Sequence, residues 1–468
     1  MQKTIIWLRN DLRLKDNPAL YEAAEHGIVI PVYIFDNKTQ NDWKLGGASK
    51  WWLHHSLVSL AKDFKKFGIN LIIRSGNPKE ILGKLLIESV ADAIFWNRCY
   101  EPDSIKRDTD IKKSLEESGI KVKSFNASLL FEPWEIKNQQ GNNYKVFTPF
   151  WKHCLSLPQQ SEPLSEPKFK PTDIALKSDN IESLQLLPKN PDWSGGLAEK
   201  WQPGEAGAIL LLNHFLDNSI NNYSNGRDIP ALGSTSTLSP HLHFGEISPR
   251  QIWHAVNFHA EINSSPKERH NLQKFMAEIG WREFSYNLLY YYPDFATQPF
   301  NKKFAYFPWL EDAENLRLWQ QGKTGYPIVD AGMRQLWHTG YMHNRVRMIV
   351  ASFLTKHLMI HWHEGAKWFW DTLVDADLAS NSAGWQWVAG CGADAAPYFR
   401  IFNPVLQGKK FDPDGEYVRK WVPELANIDR KYIHSPWESP KIIRNYPSPI
   451  VDHAYARDRA MQAYNAIK

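Results

Sequence analysis

Residues 5–14 read Ile5-Ile6-Trp7-Leu8-Arg9-Asn10-Asp11-Leu12-Arg13-Leu14, an apolar run that stops on a polar turn without glycine. A short apolar run bounded by turn residues reads as a buried strand. Four more follow at 28–35, 71–73, 93–96 and 121–125, with helical patterns such as 48–67 and 78–90 between them. Strands alternating with helices predict a parallel sheet. The turn after the first strand then narrows the choice of α/β fold. A dinucleotide site needs G-x-G-x-x-G there, and residues 9–14 contain no glycine, so that site is excluded. Ligands of open parallel sheets lie at the carboxyl ends of the strands, which makes Asp36, Asn97 and Glu101 the expected lining of a pocket.

Beyond the strands the pattern changes. Residues 131–197 carry Pro133, Pro149, Pro158, Pro163, Pro167, Pro171, Pro188 and Pro191 and read as a long connection. Past it, apolar residues recur at helical spacing over 206–215, 250–259, 272–290, 333–358 and 366–373, which predicts an all-helical second domain. A chain of 468 residues is too long for a single core. The expected plan is an α/β N-terminal domain with a Rossmann-like parallel sheet (1–130), a connector (131–197) and an all-α C-terminal domain (198–468).

Composition excludes several classes. With 43% hydrophobic and 23% charged residues the chain reads as soluble and globular. No run approaches the ~18 apolar residues of a membrane span, and the first apolar run ends at Arg9, so the expected location is cytoplasmic. Cys99, Cys154 and Cys391 form no C-x-x-C pair, which argues against a disulfide framework or structural zinc. Net charge is only +4, but Arg334, Arg345, Arg347 and Lys356 follow one another without an intervening acid, as do Arg400, Lys409 and Lys410. Such stretches are either solvated faces or the basic surface that a phosphate backbone needs.

The chemistry concentrates in the helical half. Residues 375–387 read Asp-Ala-Asp-Leu-Ala-Ser-Asn-Ser-Ala-Gly-Trp-Gln-Trp. Trp385 and Trp387 stand two apart and do not share a helix face, so one indole can turn inward while the other lines a cavity. Asp375 and Asp377 also suit helix capping. Thr235-Ser236-Thr237-Leu238-Ser239-Pro240 and Ser248-Pro249 read as helix starts, with Ser as cap and Pro in the first turn; hydroxyls at such a start can also hold an anion such as pyrophosphate. Glu278 and Trp281 share a face at i, i+3 and could meet a base edge and its ring, or Glu278 could pair with Arg282 at i, i+4. Gly322-Lys323-Thr324 is no P-loop, since the required earlier glycine is Arg317. His357, His361 and His363 lack the acidic ligands of a metal site, and no metal is expected.

These motifs, with Trp281-Arg282-Glu283-Phe284, residues 322–331 and Met342-His343-Asn344-Arg345-Val346-Arg347-Met348, resemble the photolyase/cryptochrome family over essentially the whole chain. Within it they resemble most the class I cyclobutane pyrimidine dimer photolyases. The resemblance implies an antenna domain, a helical domain holding FAD in a folded shape, and light-driven dimer repair by electron transfer from reduced FAD to a flipped-out dimer. It would place Tyr223, Thr235, Ser236, Thr237, Leu238, Ser239, Asn344, Arg347, Asp375, Ala376, Asp377 and Asn381 around FAD, with Asn381 at flavin N5. Glu278, Trp281, Asn344, Met348 and Trp387 would form the dimer pocket, with Arg227, Arg282, Arg345 and Gln407 toward DNA. Trp385, Trp362 and Trp309 match the family's tryptophan relay.

The alternative activity is that of a (6-4) photolyase or a cryptochrome photoreceptor. The former usually carries histidines in the segment 342–348, and signalling relatives tend to carry Asp or Cys where Asn381 stands. Tyr100-Glu101 continues as Pro102-Asp103-Ser104 rather than with the Asn-Glu pair of folate-binding members. A second chromophore, if bound, is therefore expected to be a deazaflavin or flavin. The implied partner is dimer-containing DNA, met by a monomer that binds no membrane.

Overall fold

The computed structural model describes residues 1–468 except 37–42, 159, 173, 263–264, 397, 442 and 444. The first part alternates as the apolar runs predict: β1 (Lys3–Leu8), α1 (Pro18–His26), β2 (Ile28–Phe35), α2 (Gly47–Lys65), β3 (Ile72–Ser75), α3 (Pro78–Ser89), β4 (Ala93–Asn97), α4 (Pro102–Glu117) and β5 (Lys121–Phe125). All neighbours pair in parallel, in the order β3-β2-β1-β4-β5. Strands covered on both faces need apolar residues at every position. Thr4, Ile5, Ile6, Trp7 and Leu8 are accordingly all buried, and the two faces belong to two separate apolar clusters.

The rest is helical, and the isolated bridge between Leu310 and Ile360 is its only strand-like pairing among the described residues. The helices are α5 (Phe147–Ser156), α6 (Gly195–Lys200), α7 (Glu205–His214), α8 (Tyr223–Gly226), α9 (Ser239–His243), α10 (Pro249–Ile262), α11 (Pro266–Tyr291), α12 (Ala313–Gln320), α13 (Pro327–Thr339), α14 (Asn344–Ser352), α15 (Trp362–Thr372), α16 (Leu378–Ala389), α17 (Pro404–Phe411), α18 (Glu416–Trp421) and α19 (His453–Ala466). One expected helix is two. The pattern over 333–358 breaks at Gly340, whose φ of 64° ends α13 in the left-handed cap that glycine adopts most easily. Buried Tyr341 and Met342 carry the apolar spacing across the break, so periodicity alone does not reveal it. After Ser352 the chain continues in a π turn, Phe353–His357.

The proline-rich stretch does more than connect. Its α5 buries Phe147, Phe150 and Trp151 in the core of the helical half. A Cβ at Gly280 on α11 would meet the Trp151 indole at 2.6 Å, so that crossing needs glycine. The halves are joined by buried polar contacts. Trp52 Nε1 donates to Glu246 at 3.1 Å, as does the Ser56 hydroxyl at 2.5 Å; the Gly204 amide, from the helical half itself, donates to the same oxygen at 2.7 Å. No helix among the described residues is long and apolar enough to cross a membrane.

Candidate functional site

Asp377 caps α16, its Oδ1 accepting from Ser380 N at 2.8 Å. Its Oδ2 accepts from the Tyr286 hydroxyl at 2.5 Å and faces His243 Nδ1 at 3.5 Å. Burial pushes this carboxyl up, but hydrogen bonding and charge from His243, the charge of Arg282 and the Tyr286 hydrogen bond outweigh it and hold the pKa well below the usual range. Two residues earlier, Asp375 does not cap. It takes Arg347 Nη2 at 2.8 and 3.1 Å and the Ser239 hydroxyl at 2.6 Å. The Arg347 guanidinium lies 5.3 Å from the Tyr341 ring centroid, and the Tyr341 hydroxyl is 3.5 Å from that of Thr235.

The Ser-Pro motifs part company here. Ser248 caps α10, its hydroxyl accepting from Gln251 N at 2.9 Å. Ser239 is the first residue of α9, a helix of five residues, and gives its hydroxyl to Asp375 instead of capping. Thr235, Ser236 and Thr237 are half-buried, with Thr237 at φ 51°, while Leu238 is buried behind them. One side of the site thus offers hydroxyl donors and the other a guanidinium clamped on a carboxylate.

Asn381, half-buried one turn into α16, donates its Nδ2 to Ala366 O at 3.0 Å, which leaves its Oδ1 free to accept. Tyr223 is buried against Phe215 and Phe275, and Ala376 is buried beside the acids. Asn344 is exposed at the start of α14. His343 caps α14 through Nδ1, and burial pushes its imidazole down to about 4, so it is neutral. His343 Nε2, Ser382 Oγ and Trp385 Nε1 are buried without a hydrogen-bond partner among the described residues. Hydroxyls suit a pyrophosphate, and a guanidinium held on a carboxylate, with orphaned buried groups on the same elements, suits a polar ring system, so the donor set fits FAD.

The basic residues are held ready rather than free. Arg227 pairs with Glu278 at 2.6 Å and Arg345 with Asp228 at 2.7 Å, and each guanidinium also lies over a ring, Tyr223 at 5.4 Å and Phe411 at 4.4 Å. Glu278 therefore pairs across 51 residues and not with Arg282. Arg282 instead donates its guanidinium to Ser128 O at 2.6 Å and lies 4.9 Å from the Tyr286 ring centroid. Trp281 stacks on Phe147 at 3.8 Å and 9°. Trp387 is half-buried and donates its Nε1 to Asp394 O at 3.0 Å. Met348 Sδ is 3.7 Å from Arg345 Nη1, and Gln407 is half-buried on α17. Phe147, Asp228 and Tyr341 belong to the site without having been legible as such, because their partners are distant in sequence.

Trp385 and Trp362 are buried and Trp309 is half-buried. A Cβ at Gly365 on α15 would lie 2.1 Å from the Trp385 ring, so the indole rests directly on that helix. Trp362 opens the same helix; its ring is 5.5 Å from His361, which is 5.1 Å from Trp309. At the strand ends, Asn97 and Glu101 line a cavity shared with His243, Arg282 and Tyr286; Asp36 is not among its lining residues. No cluster of three or more metal-ligating side chains is present among the described residues.

A family model for the DNA photolyase domain matches residues 4–168, and one for the FAD binding domain of DNA photolyase matches 275–466. A deoxyribodipyrimidine photo-lyase of Agrobacterium fabrum is 49% identical over 99% of this chain and 98% of that one. Cryptochrome-2 of Arabidopsis thaliana is 39% identical over 99% of this chain and 78% of that one. The crystal structure of a bacterial class III photolyase from Agrobacterium tumefaciens superposes with a TM-score of 0.96 at 47% identity, covering 100% of this chain and 98% of that one. That match overturns the class I expectation in favour of class III. The flavin and lesion motifs on which it was based describe a shared chemistry and do not separate the classes. By these full-length matches the chain belongs to the photolyase/cryptochrome family.

Proposed function

We propose that this protein repairs cyclobutane pyrimidine dimers in DNA in a light-driven reaction, as a deoxyribodipyrimidine photolyase of the class III kind. The observation that carries the reading is Asn381, a neutral amide at the position where signalling relatives tend to have Asp or Cys. Its Nδ2 is fixed on Ala366 O at 3.0 Å and its Oδ1 is left to accept from a protonated ring nitrogen. FAD, reduced in the active form, supplies the electron that opens the cyclobutane ring and receives it back.

The chain's own residues bind and orient. Thr235, Ser236, Thr237 and Ser239 meet the phosphates; Arg347, Asp375, Asp377 and Asn344 hold the remainder, with Tyr223, Leu238 and Ala376 as walls. A dimer inside a duplex has to be extruded to reach the site, and its broken pairing makes extrusion cheaper. Trp281 and Trp387 then wall the extruded bases, Glu278 contacts their edge beside Met348, and Arg227, Arg345 and Gln407 meet the strand. Trp385, Trp362 and Trp309 carry electrons inward to load the cofactor. The division into an antenna half (1–130), a connector (131–197) and a helical half (198–468), acting as a monomer, goes with this reading.

Repair of a dimer-containing oligonucleotide under blue light and not in the dark tests it; no repair in light by chemically reduced holoprotein refutes it. The likeness to a plant cryptochrome makes a photoreceptor the second reading, which predicts no loss of dimers in either condition. A (6-4) photoproduct oligonucleotide in the same assay covers the remaining alternative. A second chromophore, deazaflavin or flavin, is assigned to the cavity at Asn97 and Glu101. Extraction of stoichiometric methenyltetrahydrofolate would overturn that assignment.

A further inference from the structure

Lys356 is only 3% exposed and lies in the π turn Phe353–His357. Lys356 and His357, adjacent in that turn, are both buried, and they serve different neighbours. His357 Nε2 meets His453 Nδ1 on α19 at 2.9 Å. The Lys356 ammonium donates to the carbonyl of Arg400 and lies 4.7 Å from the Phe399 ring centroid. No carboxylate forms an ion pair with it among the described residues. Beside it is an open cavity of about 300 Å³ whose lining includes Ser352, Trp387, Tyr398 and Arg400 and has no acidic side chain.

The segment 398–402 is pinned from behind and open in front. Phe402 N donates to Ser352 Oγ at 3.3 Å, and Lys356 holds the backbone at Arg400. On the open side the Arg400 guanidinium donates to the exposed Tyr398 hydroxyl at 2.7 and 3.1 Å. A buried ammonium without a counter-charge is costly, and an arriving anion relieves that cost.

We propose that Lys356 is a positioning residue for lesion binding: it fixes Arg400 and Tyr398 beside Trp387, and a DNA phosphate seated there completes its charge, so that binding DNA takes up a proton at Lys356. This rests on the reading of Trp387 as a wall of the dimer pocket. Burial pushes the Lys356 ammonium down to about 7, with the Cys391 sulfur opposing and the Arg400 charge adding to the effect. The other groups facing the turn are silent above pH 6.5. Burial pushes the Cys391 thiol up to about 12, holds His357 down at about 3 and lowers His453; the guanidinium groups of Arg400 and Arg459 also lie near the turn. Below pH 7 the ammonium is present before DNA arrives, and above it Lys356 has to take a proton from solvent as DNA binds.

The experiment is affinity of the flavin-loaded protein for a dimer-containing oligonucleotide at pH 6.5 and 8.5, at fixed ionic strength. Wild type is expected to bind about tenfold more weakly at the higher pH, which is one unit of differential protonation. Lys356→Met should bind weakly at both, and Lys356→Arg, always charged, should bind tightly at both, with flavin absorption unchanged in each. A wild-type affinity independent of pH, or a Lys356→Met variant that keeps the wild-type slope, overturns the proposal. If Lys356→Met does not retain flavin, the slopes of wild type and Lys356→Arg decide. Failure of the repair reading looks different: wild type would then not distinguish damaged from undamaged DNA at either pH.

Discussion

Two polar regions of this molecule use the same residue types to opposite ends. At the strand ends, Arg9 is locked between Asp108 and the Asn97 carbonyl, its guanidinium 4.3 Å from the Trp7 ring centroid. Asn97 in turn donates to Asp11 at 2.6 Å and to Asn17 at 2.7 Å. In the helical cleft each arginine has one carboxylate and one aromatic face, and the side chains of Arg227, Arg345 and Arg347 keep 22–24% of their surface. In the first region Arg9 is almost fully buried and spends both terminal nitrogens on Asp108 and the Asn97 carbonyl, so its guanidinium serves as structure. The arginines of the second keep exposed donor surface that a flavin or a phosphate backbone can claim, so retained exposure beside a carboxylate separates the two better than charge density does.

The largest effect that would sharpen the contrast is at Trp385. Trp385→Phe keeps an aromatic ring against Gly365 but is far harder to oxidise, so photoreduction of oxidised FAD should be essentially abolished while chemically reduced protein still repairs. Photoreduction at the wild-type rate would remove Trp385 from the relay. Next are matched acid removals in the two regions. Asp375→Ala strands Arg347 and should weaken flavin binding by about 3 kcal/mol, on the order of a hundredfold. Asp108→Ala strands Arg9 just as thoroughly, yet should lower only the melting temperature and leave flavin and lesion affinities alone; equal flavin loss in both would break the comparison.

Trp281→Ala, at the stack on Phe147, should cost on the order of 1–3 kcal/mol of lesion affinity with the flavin retained. Release of FAD with unchanged lesion affinity would move Trp281 out of the pocket. Arg345→Ala should reduce the slope of log affinity against log salt by about one, equally for damaged and undamaged strands. The smallest effect is acid stability. Burial holds His343 and His361 down at about 4 and His357 at about 3, so the unfolded chain binds more protons below pH 6.5. Their contribution is complete above 6.5 and is lost as pH falls toward 4, which a melting-temperature profile over that range would register.

The sheet was readable from sequence because strands buried on both faces carry uninterrupted apolar runs, as 28–35 does in β2; 121–125 matches the range of β5, but this edge strand, Lys-Val-Lys-Ser-Phe, is half-buried or exposed and not the buried strand expected. Helix existence was readable for the same reason, through spacing. Breaks were not: Gly340 interrupts a pattern that Tyr341 and Met342 continue. Within the site, the residue types in 235–239 and 375–381 were legible from their motifs, but partners were not. Local spacing offers Glu278 to Arg282 and Asp375 to a helix cap; the fold brings in Arg227 and Arg347 from elsewhere and turns Arg282 to Ser128. Pairing across tens of residues is decided by packing, and no single sequence encodes it in its spacing.

The stack of Phe147 on Trp281 restricts how this molecule can be rearranged. Phe147 comes from the proline-rich stretch between the halves, and the same ten-residue helix sets Trp151 against Gly280. A chimera that imports a different α/β half, with a junction placed after residue 156, would import another protein's support for the Trp281 ring as well. Grafts that keep 147–156 native should retain damage recognition, whereas those that replace it should have to evolve a new surface for Trp281 to lean on. The stretch that looks most replaceable by composition is thus where the two halves are least interchangeable.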